Sequence, residues 1–438
     1  MTRPHLLFLA VGFPPAAKSS TYRLREMANQ LVAAGWDVTV LTTVDESWER
    51  DFGVDLTLLD DVDPAVRVVK LPLFREDLET DVRLMSRERA ADPRGWRRRH
   101  LARNEDTFPE AAFGGWLPEL CAAVDRLHGE RPVDLALASC VPYTLLGVLQ
   151  HLHATAGVPY AVDYRDGWSV DVIGGDEAFE VDSRRGRLER DVLGRATWIT
   201  FVNDAIGDFY AGRFPELAPR MHVVRNGYDR ASVPPVRPQG PLAEDGVHFG
   251  HVGVLTFPVE MLAALLEGWR LARSRDPLVA RSRLTFRGPT GAGPFQGAND
   301  HVEMLRLAAG DGVEYGGPVP KAQMADLYAG WDALVLLVMG GRFMTSGKVY
   351  EYAATGLPIV SAHAKDHDAA AVLEGRDLWT GPLGVDVEAL AAGFSEAARW
   401  AVEADRSTRE VAAGHGRGFA RDDLMRRAIT ALTAEVRS

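Results

Sequence analysis

The sequence predicts an α/β protein built of two Rossmann-like, doubly wound domains facing a cleft. Three observations predict it. Short continuous apolar runs alternate along the chain with helical stripes, as parallel strands buried on both faces and their crossover helices require. The alternation stops at a proline-rich stretch, residues 231–246, and restarts after it. With 438 residues, the chain is long enough for two cores of ordinary size.

The elements follow in order. Residues 5–11 (HLLFLAV) form a strand buried on both faces, and the loop GFPPAAKSS follows it. A helix comes next, with Leu24, Met27, Ala28, Leu31 and Val32 on one face. Ser19 or Ser20 caps its start and Gly35 closes its end. Residues 37–43 (DVTVLTT) are the second strand. A parallel pair with a crossover helix implies an open α/β sheet. Further strands are expected near 66–71, 133–138, 158–163, 197–202 and 221–225. Residues 75–118, rich in Arg and Trp, read as a helical insertion. After the linker, a strand at 247–254 leads to a helix carrying Leu262, Leu265, Leu266 and Trp269. Strands at 283–287, 332–338, 357–361 and 377–380 complete the pattern. The domains are thus 1–235, carrying the 75–118 insertion, and 246–415. A helix in 416–438, with Met425, Ile429, Leu432 and Val436 on one stripe, is expected to pack back on the first domain. A ligand belongs at the carboxyl ends of the strands.

Composition narrows the function classes. Hydrophobic residues make up 46% and charged residues 25%, which excludes extended disorder and fibrous classes. The net charge of −12, from 49 Lys+Arg against 61 Asp+Glu, argues against a dedicated nucleic-acid binder. Two cysteines, Cys121 and Cys140, in apolar surroundings argue against a disulfide framework or a cysteine zinc site. Residues 6–13 read as the first strand rather than a secretory signal, because Pro14-Pro15 and a βα pattern follow. No apolar run reaches bilayer length. A cytoplasmic location is the expectation.

The strongest local signal is RFMTSGKVYEYAATGLPIV, residues 342–360. It follows an apolar strand and a Gly340-Gly341 turn. Thr345 and Ser346 stand at a helix start, and Gly356 ends the helix. Ser346, Gly347 and the free N–H groups of that helix start suit a diphosphate, and Lys348 in the first turn adds a cation. Glu351, one turn on, is placed to accept hydrogen bonds from ribose hydroxyls. The plainer reading is a capped βα turn with a solvated lysine. A dinucleotide oxidoreductase is disfavoured, because the first βα turn, Gly12-Phe13-Pro14-Pro15-Ala16-Ala17, lacks G-x-G-x-x-G.

The stretch from Gly347 to Val360 resembles the donor-binding segment of GT-B glycosyltransferases of the family 4 type (glycosyltransferase group 1). Other segments agree in order: Phe13-Pro14-Pro15 with Tyr22-Arg23-Leu24, Asp163-Tyr164-Arg165-Asp166-Gly167-Trp168, Val224-Arg225-Asn226-Gly227-Tyr228-Asp229, His251-Val252-Gly253, and Val313-Glu314-Tyr315-Gly316-Gly317-Pro318-Val319 with Tyr328 in the helix after it. The resemblance implies transfer of a sugar from a nucleotide-diphosphate sugar, a co-substrate, to an acceptor hydroxyl, with retention and without metal or cofactor. The acceptor is a small molecule, a glycan or a lipid-linked group. Lys348, with Arg342 nearby, would meet the departing diphosphate. Gly253, Thr256, Ser346, Gly347, Lys348, Glu351 and Phe343 form the expected donor set. An epimerase or hydrolase of the same fold, or a non-catalytic nucleotide-sugar binder, is the alternative.

Two departures stand out. Many relatives carry a second glutamate eight residues before the ribose-binding one, and Phe343 occupies that position. Many also carry Arg or Lys after the glycine strand, where this chain has Gly253-Val254-Leu255-Thr256-Phe257. An apolar or deoxy sugar pocket is one expectation from Phe343.

On the N-terminal side, Arg165 and Asp166 follow a strand. They are placed to bind acceptor hydroxyls, with Asp166 assisting proton removal; the plainer reading is a strand-end salt bridge or cap. Tyr22 and Arg23 open the first helix, where Arg23 faces an anionic acceptor or the diphosphate, or is an exposed helix arginine. The run Arg94-Gly95-Trp96-Arg97-Arg98-Arg99-His100 reads as a solvated insertion helix, or as a weak peripheral membrane contact. His363, Asp366, His367 and Asp368 lack a metal-binding context and fit a polar loop near the donor sugar.

Overall fold

The computed structural model describes residues 3–51, 53–290 and 299–437. The chain divides into two compact units. Residues 1–171, 176–225 and 424–438 form the first, and 172–175 with 226–423 form the second.

The first unit is a parallel sheet of seven strands: β1 (His5–Leu9), β2 (Asp37–Thr43), β3 (Arg67–Leu71), β4 (Leu135–Cys140), β5 (Tyr160–Tyr164), β6 (Trp198–Phe201) and β7 (Met221–Val223). Their spatial order is β3-β2-β1-β4-β5-β6-β7. The second unit holds six parallel strands: β8 (His248–Val252), β9 (Arg283–Arg287), β10 (Val313–Tyr315), β11 (Ala333–Leu337), β12 (Ile359–Ala362) and β13 (Trp379–Thr380), in the order β10-β9-β8-β11-β12-β13. In each sheet the chain runs outward from its first strand, then returns to that strand's other side. The switch points therefore lie between β1 and β4 and between β8 and β11, where diverging loops leave open space at the carboxyl ends. The α/β, doubly wound expectation holds for both units.

Strand positions agree with the apolar runs, with small displacements. β4 and β5 start two residues later than the runs at 133 and 158, because Val133 and Val158 are buried ahead of the paired residues. In residues 75–118 the long element is the helix Pro93–Thr107, capped by the Asp92 carboxylate on Gly95 N–H at 2.9 Å.

The stretch 231–246 is not a free linker. The chain divides at Arg225, and 231–246 belongs to the second unit. Arg237 donates to Trp331 O at 3.1 Å and pairs with Asp332. A Cβ on Gly240 would fall 1.9 Å from Ala401 O. A proline-rich composition signals non-helical backbone, which fits a flexible tether and a packed strap equally well.

The C-terminal helix runs from Arg421 to Arg437, after a separate helix Arg406–Arg417. Met425, Ile429 and Leu432 join the first unit's core with Leu6, Phe8 and Leu31. Trp36 Nε1 donates to Thr433 Oγ1 at 2.9 Å. No helix among the described residues is long and apolar enough to cross a membrane.

One buried ion pair fixes the carboxyl end of β5. Arg23, 1% exposed, donates to both oxygens of Asp163, at 2.6 and 3.2 Å, and to Val224 O at 2.7 Å. Ser139 and Thr200 hydroxyls complete the carboxylate's shell at 2.6 and 2.7 Å. Burial alone would raise the Asp163 carboxyl, but Arg23 and the two hydroxyls hold it below the usual range. Asp163→Ala leaves a buried guanidinium unpaired and is expected to destabilise by about 3–5 kcal/mol. Urea denaturation checks this; an unchanged midpoint would contradict it.

Candidate active site

The second unit gathers its candidate residues at the β8–β11 switch point. Gly253 follows β8 with φ +150°, a conformation side chains rarely adopt. A Cβ there would fall 2.1 Å from Nζ of Lys348 and 2.5 Å from its Cε. The ammonium therefore lies directly against backbone that only glycine leaves open. Gly288, after β9, closes the other side: its Cβ would fall 2.0 Å from Gly253 O.

Lys348 stands in the first turn of the helix Gly347–Ala354. Ser346 precedes the helix in extended conformation and makes no side-chain capping bond. The C-terminal half of the helix is held from two sides. Tyr352 OH accepts from Val252 N–H at 3.0 Å, which ties it to β8. Arg376, buried, donates to Ala353 O at 3.2 Å and to Leu357 O at 2.9 Å. Burial pushes the Lys348 ammonium down to about 8, with Glu351 pulling the other way. An ammonium held at that cost is stabilised by an arriving anion.

Glu351 is buried, and its carboxylate is engaged. Lys321 donates to Oε1, and Tyr328 OH donates to Oε2 at 2.6 Å. Arg342 is exposed, with its guanidinium 4.6 Å from the centre of the Phe343 ring. Phe343 itself is buried. Thr256 is half-buried beside Gly253, its N–H bonded to Val254 O at 3.0 Å.

His363, Asp366, His367 and Asp368 follow β12. His367 Nδ1 accepts Ala369 N–H and caps the next helix, while Asp368 accepts the Thr345 hydroxyl at 2.9 Å. Among the described residues, no three His, Cys, Asp or Glu side chains come together as metal ligands.

In the first unit, Arg165 and Asp166 are half-exposed on the loop after β5. Arg165 donates to Val141 O at 3.0 Å. Tyr143 OH donates to Asp166 O at 3.2 Å, and Tyr143 stacks on Trp168 with ring centres 5.3 Å apart. Glu189, buried, anchors the loop from below. It accepts from Tyr164 OH at 3.0 Å, Tyr210 OH at 2.5 Å and the Ser169 hydroxyl. Burial raises its carboxyl above the usual range.

Arg23 does not face an acceptor; it is spent on Asp163 inside the unit. Tyr22 is half-buried beside Arg25, whose guanidinium is 5.7 Å from its ring centre. The basic run lies on the helix Pro93–Thr107. Arg94, Arg97, Arg98 and Arg99 are exposed, and Arg99 pairs with Glu88 at 2.9 Å. Lys321 and Glu189 are not marked in the sequence, and Tyr328 enters there only as part of the segment that resembles the helix before the donor segment. Each lies more than twenty residues from its partner, so no local spacing marks it.

Residues 20–227 match the family model described as a glycosyl transferase 4-like domain. The chain has the fold of sucrose-phosphate and trehalose-phosphate synthases of known structure. Sucrose-phosphate synthase from Thermosynechococcus elongatus is similar over 99% of this chain and 98% of its own, at 17% identity and a TM-score of 0.60. HepE of Anabaena, in complex with UDP and glucose, is similar over 98% of this chain and 100% of its own, at 14% identity and a TM-score of 0.58. A UDP-forming α,α-trehalose-phosphate synthase from Burkholderia xenovorans covers 100% of this chain and 99% of its own, at 15% and 0.61. No curated protein matches this chain in sequence.

Gly253→Ala is expected to displace Lys348 and strain the backbone, costing about 1–3 kcal/mol in stability. A thermal melt with and without nucleotide reads both effects; a variant that melts and binds like the wild type would contradict the close approach.

Proposed function

We propose that this protein is a glycosyltransferase that moves a sugar from a nucleoside-diphosphate sugar, bound by the second unit, to an acceptor hydroxyl bound by the first. The observation that carries the donor assignment is the Lys348 ammonium against Gly253 at the switch point, beside the start of the helix Gly347–Ala354. The cation and the helix N-terminus are placed to stabilise a departing diphosphate. Lys348 fills the role that the charge-free segment Gly253-Val254-Leu255-Thr256-Phe257 does not supply. Metal independence rests on this supply of positive charge, and retention rests on the resemblance of the donor segment alone.

Arg342 reaches solvent and is placed to add charge on the phosphates. Glu351 takes the ribose hydroxyls, and Lys321 must release one carboxylate oxygen for that. Phe343 is buried beneath Arg342, so it shapes the loop behind the sugar rather than lining an open pocket. Ser346, Gly347 and Thr256 contribute backbone and hydroxyl groups around the diphosphate. Asp166 accepts the proton of the attacking hydroxyl, with Arg165 and Tyr22 around the acceptor. The acceptor is a small molecule, a glycan or a lipid-linked group.

Thermal shift against UDP, GDP, ADP and dTDP tests the donor site. One nucleotide is expected to raise the melting temperature of the wild type, with the effect largely lost in Lys348→Ala. No shift from any nucleotide at millimolar concentration would overturn the assignment. In turnover, Lys348→Ala is expected to lower kcat by about 10²–10³-fold.

The pH dependence follows from the depressed lysine. Below about 8 the ammonium is charged and meets the diphosphate; above it the amine is neutral in the free enzyme. Nucleotide affinity is therefore expected to fall as pH rises through about 8. Titration calorimetry across that range checks it, and a flat profile would count against Lys348.

A further inference from the structure

Among the described residues, three buried donors at the first unit's carboxyl edge have no acceptor. Ser20, 7% exposed, heads the helix Thr21–Ala33, and its hydroxyl has no partner. Trp48, 5% exposed, has an unpartnered indole Nε1. The Nε of Arg165 is likewise buried without a partner, although its Nη2 reaches Val141 O.

Lys18 links the three. Its ammonium sits 5.1 Å from the centre of the Trp48 ring. A Cβ placed on Gly12 would meet Ser20 Oγ at 3.3 Å and Lys18 Cδ at 3.9 Å. Burial, with Arg165 adding to it, pushes the Lys18 ammonium down to about 8, while Asp51 and Asp166 pull the other way. Lys18 and Arg165 therefore feel each other as like charges.

The carboxylates nearby do not answer these donors. Asp77 is chelated by Arg75 through two bonds of 2.8 Å. Asp51 has its carboxyl raised, first by burial. Asp166, on the same loop as Arg165, makes no ion pair with it among the described residues. An unsatisfied buried donor is costly, and so are adjacent like charges. A group that only accepts, with several oxygens and negative charge, relieves both. The helix N-terminus at Ser20 favours the same ligand.

We propose that the first unit binds a phosphate-type anion at Lys18, Ser20, Trp48 and Arg165, and that the acceptor brings it. The acceptor is then a phosphorylated molecule, its phosphate on the cationic side and its reacting hydroxyl toward Asp166. The word acceptor rests on the glycosyl-transfer reading above; the anion site does not.

Titration calorimetry with inorganic phosphate, glucose 6-phosphate and UDP separates the sources. The proteins are the wild type, Arg165→Gln, Lys18→Gln and Lys348→Ala, each checked for folding by its melting temperature. Both phosphates are expected to bind the wild type and Lys348→Ala alike, and to weaken at least tenfold in Arg165→Gln and in Lys18→Gln. UDP is expected to weaken only in Lys348→Ala. Arg165→Lys, which keeps the charge, is expected to recover part of the phosphate affinity. Phosphate binding unchanged in Arg165→Gln and Lys18→Gln overturns the proposal, as does no phosphate binding at millimolar concentration. Phosphate binding lost in Lys348→Ala and competed by UDP also overturns it, because the anion then belongs to the donor site. If UDP binds no protein, the donor reading falls, and the phosphate titrations still decide the anion site.

Discussion

Lys348 keeps its ammonium in the space that a side chain on residue 253 would fill, and the second unit is arranged around that contact. The residue that follows β8 must lack a Cβ. The helix Gly347–Ala354 is anchored through its C-terminal half, by Tyr352 on Val252 N–H and by Arg376 on Ala353 O. Glu351, one turn along, is buried with Lys321 and Tyr328 as partners, which spares the unit an unpaired carboxylate. A parallel sheet supplies the rest: at its switch point two loops part, and the space between them collects whatever they carry.

The first unit solves a related problem differently. Its switch-point neighbourhood is stiffened from inside by Arg23 and Asp163, and the loop after β5 is stiffened from below by Glu189 and its three hydroxyl donors. Arg165 and Asp166 thus sit on a loop whose underside is hydrogen-bonded through, while their own tips stay half-exposed. Rigid support beneath functional groups is what positioning for catalysis requires.

Much of this was legible in the sequence because the informative features are local. Parallel strands buried on both faces are apolar throughout, so they stand out as runs. Lys348 and Glu351 share one short helix, and their spacing alone puts them near each other. What escaped is non-local: Lys321 and Tyr328 reach Glu351 across 30 and 23 residues. Arg23 was misplaced for a different reason. It lies four residues before Met27 and eight before Leu31, on the same buried helix stripe, and its charge hid that position. Residues 231–246 look like a tether because proline composition records only what the backbone cannot do, and Arg237 supplies the attachment.

The placement of Met425, Ile429 and Leu432 in the first unit's core has a consequence for biosynthesis. Chains emerge from the ribosome N-terminus first, and domains generally fold as units in that order. Here the first unit lacks part of its interior until the helix carrying Met425, Ile429 and Leu432 is made, after the whole second unit. The second unit, which ends at Asp423, has its whole sequence earlier. The unit that begins first is therefore completed last, and until then it waits with an apolar face uncovered.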